Sequence, residues 1–391
     1  MLYLNIASNV NILSDLVENQ DLEKIIKNAY RPLLAFYREN QIPSTLFFGG
    51  KTLEVLEKEY PLILEEFQAV VDAKIVEIGG HTYGHPVISL THTRDLRKHM
   101  EYSQELEKRI FGSTARGFLP PEWVFDVTIP GILKEYNMEW MLLLGVECVG
   151  YYNQTQKEVF QPGKVLGSAN VSIPTIFVYD DQELWFRNNL FNMFIGIKDP
   201  EEFARETYER IAPNIDLSKD QMLIFYFDLE TPAFNYRKYA THNPCTHFFN
   251  FIKSFMEKSA ARPIGITEFL ASYNQSLKTI HPVLTRTYKD FDIWWQGSQK
   301  LDLESSRIRE LVWKIDDYVP EHYRIHELWK TYLLSQSSDA RAAASDQRAK
   351  GLNISGHNIY FGKRERVLEA YNHLMDAERI AKEILEDYEN R

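Results

Sequence analysis

Two cysteines, Cys148 and Cys245, are all that 391 residues carry. Two thiols build neither a disulfide framework nor a Cys-based zinc site. No apolar run reaches membrane-spanning length. The N-terminal stretch Met1-Leu2-Tyr3-Leu4-Asn5-Ile6-Ala7 lacks the basic segment and long apolar segment of a signal peptide. With no lipidation motif either, a cytoplasmic protein without membrane contact is expected. Basic residues are outnumbered, 44 Lys and Arg against 55 Asp and Glu, for a formal charge of −11. A general nucleic-acid binder needs a basic face, so that class is disfavoured. Internal repeats and low-complexity linkers are missing as well.

Aromatic residues, by contrast, are plentiful at 13%. Their faces stack on sugar rings, although a large core would use them too. At 391 residues the chain is too long for one ordinary core, which suggests a large α/β barrel and a second unit. Short apolar runs at 2–6, 45–48, 74–78, 117–119, 140–144 and 222–227 alternate with helix-like stretches at 20–40, 50–71, 92–111, 199–212 and 244–257. This rhythm predicts a parallel sheet with right-handed crossovers, and a barrel of that kind keeps its chemistry at the C-terminal strand ends. Residues 7–11 read as a polar turn after the first strand. Residues 145–190 read as an irregular excursion over the barrel mouth around short strand-like pieces such as Thr175-Ile176-Phe177-Val178-Tyr179, and Pro263-Ile264-Gly265-Ile266 with a short helix from Thr267 as the closing piece. Beyond about 275 the alternation gives way to charged helical patterns at 301–318, 321–336 and 362–388, with a polar, mobile-looking segment at 337–359. The expected division is 1–275 for the barrel and 276–391 for a helical domain.

Four places carry candidate chemistry. In Gly117-Phe118-Leu119-Pro120-Pro121-Glu122-Trp123, two prolines stop a strand and set Glu122 on the turn beside Trp123. A carboxylate between rigid elements is well placed for catalysis; it is equally a plain loop residue. Asp228-Leu229-Glu230-Thr231-Pro232 puts two carboxylates after the most apolar strand, where Asp228 has the alternative of capping its turn. If the two strands face one another, Glu122 and Asp228 form the pair that a retaining glycosidase needs. His81-Thr82-Tyr83-Gly84-His85-Pro86 follows the third strand. Its histidines suit a shared metal, a sugar hydroxyl or a structural role. Trp294-Trp295 suits a sugar floor or a plug between units.

Taken in order, His81-Thr82-Tyr83-Gly84-His85-Pro86-Val87, Gly117 to Glu122 and Tyr226-Phe227-Asp228-Leu229-Glu230-Thr231 resemble family 57 of the glycoside hydrolases. That family comprises α-amylases, 4-α-glucanotransferases and glucan branching enzymes. Leu334-Ser335-Gln336-Ser337-Ser338-Asp339 and the last helix are similar to its branching-enzyme-like members. The resemblance covers nearly the whole chain, and the order of short motifs carries its weight. It implies an incomplete seven-stranded (β/α) barrel followed by a C-terminal helical domain. It implies Glu122 as nucleophile, Asp228 as acid/base and α-glucan or oligosaccharide as substrate, with no cofactor and no metal. His81, His85, Trp123, Glu230, Trp294 and Trp295 would contact the sugar. One departure is plain: the family's first strand ends in His-Gln-Pro, and here that position reads Ala7-Ser8-Asn9. Another is Pro232-Ala233-Phe234 in place of Phe-Gly after the Asp-x-Glu motif. A rival lies in the same superfamily, since Glu77 to Pro86 is similar to the second motif of polysaccharide deacetylases. Those enzymes use a metal held by an Asp and two His and a second Asp as base, yet both Asp positions hold Ser8 and Asn9. A third alternative is a catalytically silent glycan binder.

Overall fold

The computed structural model describes residues 1–12, 22–145, 159–179, 185–233, 243–280, 294, 298–344, 352–354, 357–359 and 364–390. Ten strands form its main sheet: β1 (Leu2–Val10), β2 (Ser44–Phe48), β3 (Val76–Gly80), β4 (Gly117–Phe118), β5 (Trp140–Leu144), β6 (Gly163–Leu166), β7 (Ser172–Val178), β8 (Gln221–Asp228), β9 (Arg262–Pro263) and β10 (Lys278–Ile280). Seven of them, in the order β7-β5-β4-β3-β2-β1-β8, pair in parallel. The two ends of this series approach each other, for the Tyr179 N–H just past β7 donates to the Ile224 carbonyl in β8 at 3.0 Å. β6 runs antiparallel to β7 and carries β10 on its far side.

Residue alternation decides what the barrel encloses. Side chains two apart share a face of a strand. Trp140, Leu142 and Leu144 of β5, Ile176 and Val178 of β7, Met222 and Ile224 of β8, Phe47 of β2 and Ala7 of β1 form one interior cluster, which Tyr226 joins. The alternate residues, such as Leu223, Phe225 and Phe227, face the surrounding helices. Gly117 is needed at its place because a Cβ there would come within 2.0 Å of the Trp140 ring. The N-terminal end is plugged by the helix Ile266–Ser272, whose Ile266 and Phe269 enter the interior cluster. Trp140 Nε1 donates to Thr267 Oγ1 at 2.9 Å, and the Thr267 hydroxyl in turn donates to Glu77.

Around the barrel run α1 (Arg31–Asn40), α2 (Gly50–Glu59), α3 (Pro61–Asp72), α4 (Thr93–Phe111), α5 (Ile129–Glu135), α6 (Trp185–Phe194), α7 (Pro200–Ile211), α8 (Pro244–Ser259) and the plugging α9 (Ile266–Ser272). Proline at position 61 splits the single helix expected over 50–71 into α2 and α3, as a missing N–H and fixed φ require. Then come α10 (Gln299–Tyr318), α11 (Ile325–Leu334), α12 (Ser338–Ala344) and α13 (Arg364–Glu389). These last helices pack on the barrel side. Arg94 at the start of α4 pairs with Asp316 and Asp317 of α10 at 2.7 Å. Asp95 accepts from Trp313 Nε1 (2.8 Å), the Tyr332 hydroxyl (2.9 Å) and Gln336 Nε2 (2.8 Å). Leu328, Trp329 and Leu333 of α11 are fully buried.

Four expectations are corrected. Ala7-Ser8-Asn9 is no turn but buried strand, because β1 finds β8 and β2 as partners through Asn9 and Val10. Within 145–190, the strand-like piece at 175–179 belongs to a full barrel strand, Ser172–Val178, which begins earlier than Pro174 suggested and pairs there with β6. Pro263 to Ile266 does not close the barrel: β9 pairs only with the first half of β1, beneath β2. In the segment 337–359, Ser338 to Ala343 begin a helix with Ser338, Ala340, Ala342 and Ala343 buried, since small residues allow close approach to the barrel loops.

Candidate active site

The strand alternation that lines the barrel continues to its mouth. Met222, Ile224 and Tyr226 point inward, and Asp228 follows on the same face. Asn9 of β1 is its register partner. The Tyr226 hydroxyl donates to Asp228 Oδ1 at 2.9 Å. Burial raises the Asp228 carboxyl above the usual carboxylate range, against the lowering effects of the Tyr226 donor and the Arg187 charge. Two residues on, Glu230 is 1% exposed. Burial first and the neighbouring Asp228 charge second push its carboxyl well above the usual range, although the Asn11 N–H bonds to it. Burial thus raises both carboxyl groups, Glu230 further than Asp228.

Across the mouth, Glu122 stands on the turn after β4. The strand's end is fixed by the Leu119 N–H donating to the Gly80 carbonyl at 3.0 Å. Glu122 (φ 56°) and Trp123 (φ 59°) are both in the left-handed region. Each such non-glycine residue costs on the order of 1–3 kcal/mol, and strain of this kind collects at functional sites. It turns Trp123 edge-on to Tyr226, with ring centroids 4.6 Å apart and planes at 80°. Trp123 therefore links the Glu122 turn to the tyrosine that holds Asp228.

His85 supplies a third left-handed residue, with φ 56°. Its ring stacks on His81 at 4.8 Å and 13°. Burial lowers the His85 imidazolium to about 4 and that of His81 well below the ordinary value, where the neighbouring His85 adds to the effect. Both rings are neutral at pH 7, so the 3.7 Å approach of His85 Nδ1 to Glu122 Oε1 is no ion pair. Ser338 joins the two instead: its hydroxyl donates to Glu122 Oε1 at 2.8 Å and lies 3.0 Å from His85 Nδ1. Since the serine proton goes to the carboxylate, His85 Nδ1 carries a proton and donates to Ser338 Oγ. The segment is anchored by the Ser338 N–H donating to the His85 carbonyl at 3.0 Å and by an antiparallel bridge between Pro86 and Ser337.

Three buried atoms at the mouth have no protein partner: Asn9 Oδ1, His81 Nε2 and Glu230 Oε2. Buried polar atoms are seldom left so. Among the described residues no group of three or more His, Cys, Asp or Glu is gathered as a metal site would need.

The profile of glycosyl hydrolase family 57 matches residues 4–282. The chain belongs to that family. Among solved structures, it superposes on the family 57 branching enzyme of Pyrococcus horikoshii with a TM-score of 0.78 at 11% identity, covering 99% of this chain and 91% of that one. A family 57 branching enzyme from Thermococcus kodakaraensis gives 0.77 at 12% identity, over 98% and 90%. A 4-α-glucanotransferase from Thermococcus litoralis gives 0.69 at 15% identity over 97% of this chain. The chain spans only 58% of that enzyme's length. No curated protein matches the chain in sequence.

For this family 57 chain, the mouth gathers Glu122, Trp123, His81 and His85 on one side and Asp228 and Glu230 on the other. Trp294 is 2% exposed, seated among Val87, Val124 and Ala342 directly behind the His85 and Glu122 turns. There it props those turns and offers no open face for stacking. Trp295 and Cys148 lie outside the described residues. Ser338, Tyr226 and Asn9 escaped the sequence reading. Tyr226 was findable, for it shares the Asp228 face two residues earlier. Ser338 was not, because 216 residues separate it from Glu122.

Proposed function

We propose that this family 57 chain cleaves or transfers α-glucans with retention of configuration, by way of Glu122 and Asp228. The observation that supports it best is the contrast between the two carboxyl groups, with Glu122 accepting from Ser338 and Asp228 raised by burial above the usual carboxylate range. Environments that differ in this way divide nucleophile from acid. Asp228 gives its proton to the leaving glycosidic oxygen as Glu122 attacks the anomeric carbon, and the C–O bond breaks as the glycosyl-enzyme ester forms. Asp228, now ionised, takes a proton from water or from a sugar hydroxyl, which displaces Glu122. His81, Trp123 and Glu230 bind sugar in this reading. His85 positions Ser338, and Trp294 backs the site. Residues 1–275 would be the catalytic unit, with 276–391 supplying Ser338. Among the described residues no helix is long and apolar enough to cross a membrane.

The deciding experiment is product analysis on maltooligosaccharides and amylose, with and without an acceptor sugar. Shorter sugars of retained anomeric form, or elongated acceptors, support the proposal. Acetate released from N-acetylated oligosaccharides, and lost on chelation, would favour a deacetylase instead. A second reading, the silent glycan binder, draws on Ala7 and Asn9 at the inner face of β1, where the family resemblance implies a substrate-contacting His. Saturable glucan binding with no turnover of any substrate would establish it.

A further inference from the structure

A second cavity, of about 210 Å³, opens where the start of α4 meets α10, α11 and α12. Its walls include Arg309, Arg341, Asp302, Asp95, Ser305 and Ser306. Two donors in these walls are buried and have no partner, Arg309 Nε and Arg341 Nη1. Those two nitrogens are closed off from solvent, but both arginine side chains line the cavity, and a guanidinium offers charge-assisted hydrogen bonds to an acceptor that enters it. The walls are balanced in charge. Arg341 Nη2 pairs with Asp302 Oδ1 at 2.5 Å, and Arg309 faces Asp95. A phosphate or sulfate would meet two carboxylates there. A neutral polyol meets donors and acceptors together, along with the hydroxyls of Ser305 and Ser306. The space holds about seven waters at ~30 Å³ each, which admits one pyranose ring. The side chains of Arg309 and Asp302 are 29% and 32% exposed, so the cavity is open to solvent.

We propose that this cavity is a second saccharide site, separate from the barrel mouth, which binds one neutral sugar residue through Arg309, Arg341 and Asp302. It rests on the glucan reading for the class of sugar alone. Gln336 lines the cavity, and Ser338, two residues on, touches Glu122. A glucan held here would therefore be kept near the mouth without occupying it.

The test uses the full chain carrying Glu122→Gln, titrated calorimetrically with maltose, glucose and inorganic phosphate, and crystals soaked with maltose. Two sugar sites per chain are expected, with a ring in hydrogen-bond reach of the Arg309 and Arg341 side chains. Arg309→Met should weaken the second site about tenfold, as loss of one hydrogen bond to a charged group does. Ser306→Leu, which narrows the cavity without touching a charge, should weaken it as well. One sugar site that neither substitution affects would overturn the proposal, and so would phosphate bound in place of sugar. Failure of the glucan reading would look different: the wild-type chain would turn over no glucan while the cavity still bound sugar.

Discussion

The two sides of the barrel mouth are built on opposite plans. On the β8 side, Asp228 is the last residue of a regular strand and Glu230 stands in the turn just beyond it, and burial raises both carboxyl groups. On the β3–β4 side, His85, Glu122 and Trp123 are placed by three left-handed backbone residues. There the chemistry comes from hydrogen bonds that cross to α12. A strand fixes the direction of a side chain by its own alternation. A strained turn must be held in place by something else, and here that is the C-terminal helical region. His99 extends the brace: it accepts from the Gly84 N–H at 3.1 Å and donates from Nε2 to Gln336 Oε1 at 3.2 Å.

The largest effect should come from the strained side. Glu122→Gln keeps the shape and removes the attacking oxygen, so kcat on maltooligosaccharides should fall on the order of 10⁴-fold or more. Full activity in that variant would sink the assignment. Asp228→Asn should cost roughly 10²–10⁴-fold on natural linkages and much less on aryl glycosides, whose leaving groups need little protonation. Equal losses on both substrates would show that Asp228 is not the acid.

Ser338→Ala tests the brace between the two regions. Loss of one hydrogen bond to a carboxylate should reduce kcat about tenfold with KM little changed, and Ser338→Thr should restore most of it. A thermal midpoint that falls while kcat stays level would make Ser338 merely structural.

The smallest effect concerns stability on the β8 side. The folded Glu230 carboxyl sits well above its unfolded value, so the folded chain holds the proton over a pH range where the unfolded chain has lost it. Its contribution is fully present below the unfolded value near 4.5 and falls as pH rises above it. Glu230→Gln removes that slope. The thermal midpoint of the variant relative to wild type should therefore rise from pH 4 to pH 8. A difference that stays flat over this range would mean that Glu230 is ionised in the folded chain.

Much of this was open to the sequence. Apolar runs and their spacing located β1 to β5 and β8 and pointed to a parallel sheet, because a buried parallel strand must be apolar on both faces. The prolines before Glu122 and the polar break after Phe227 marked both carboxylates, since chemistry at a strand end requires the apolar pattern to stop there. The inward direction of Asp228 came from the structure, where Met222, Ile224 and Tyr226 face the barrel interior. Tertiary structure decided the rest. Ser8 and Asn9 look like a turn in isolation and become strand only because two neighbours supply hydrogen-bond partners. Ser338 lies in a polar stretch whose likeness to branching-enzyme-like members marked the region but gave the serine no role. Its role exists only because Ser337 pairs with Pro86 and brings a hydroxyl to Glu122. Local pattern records what a segment buries. Which distant segment comes to rest beside it depends on the packing of the whole chain.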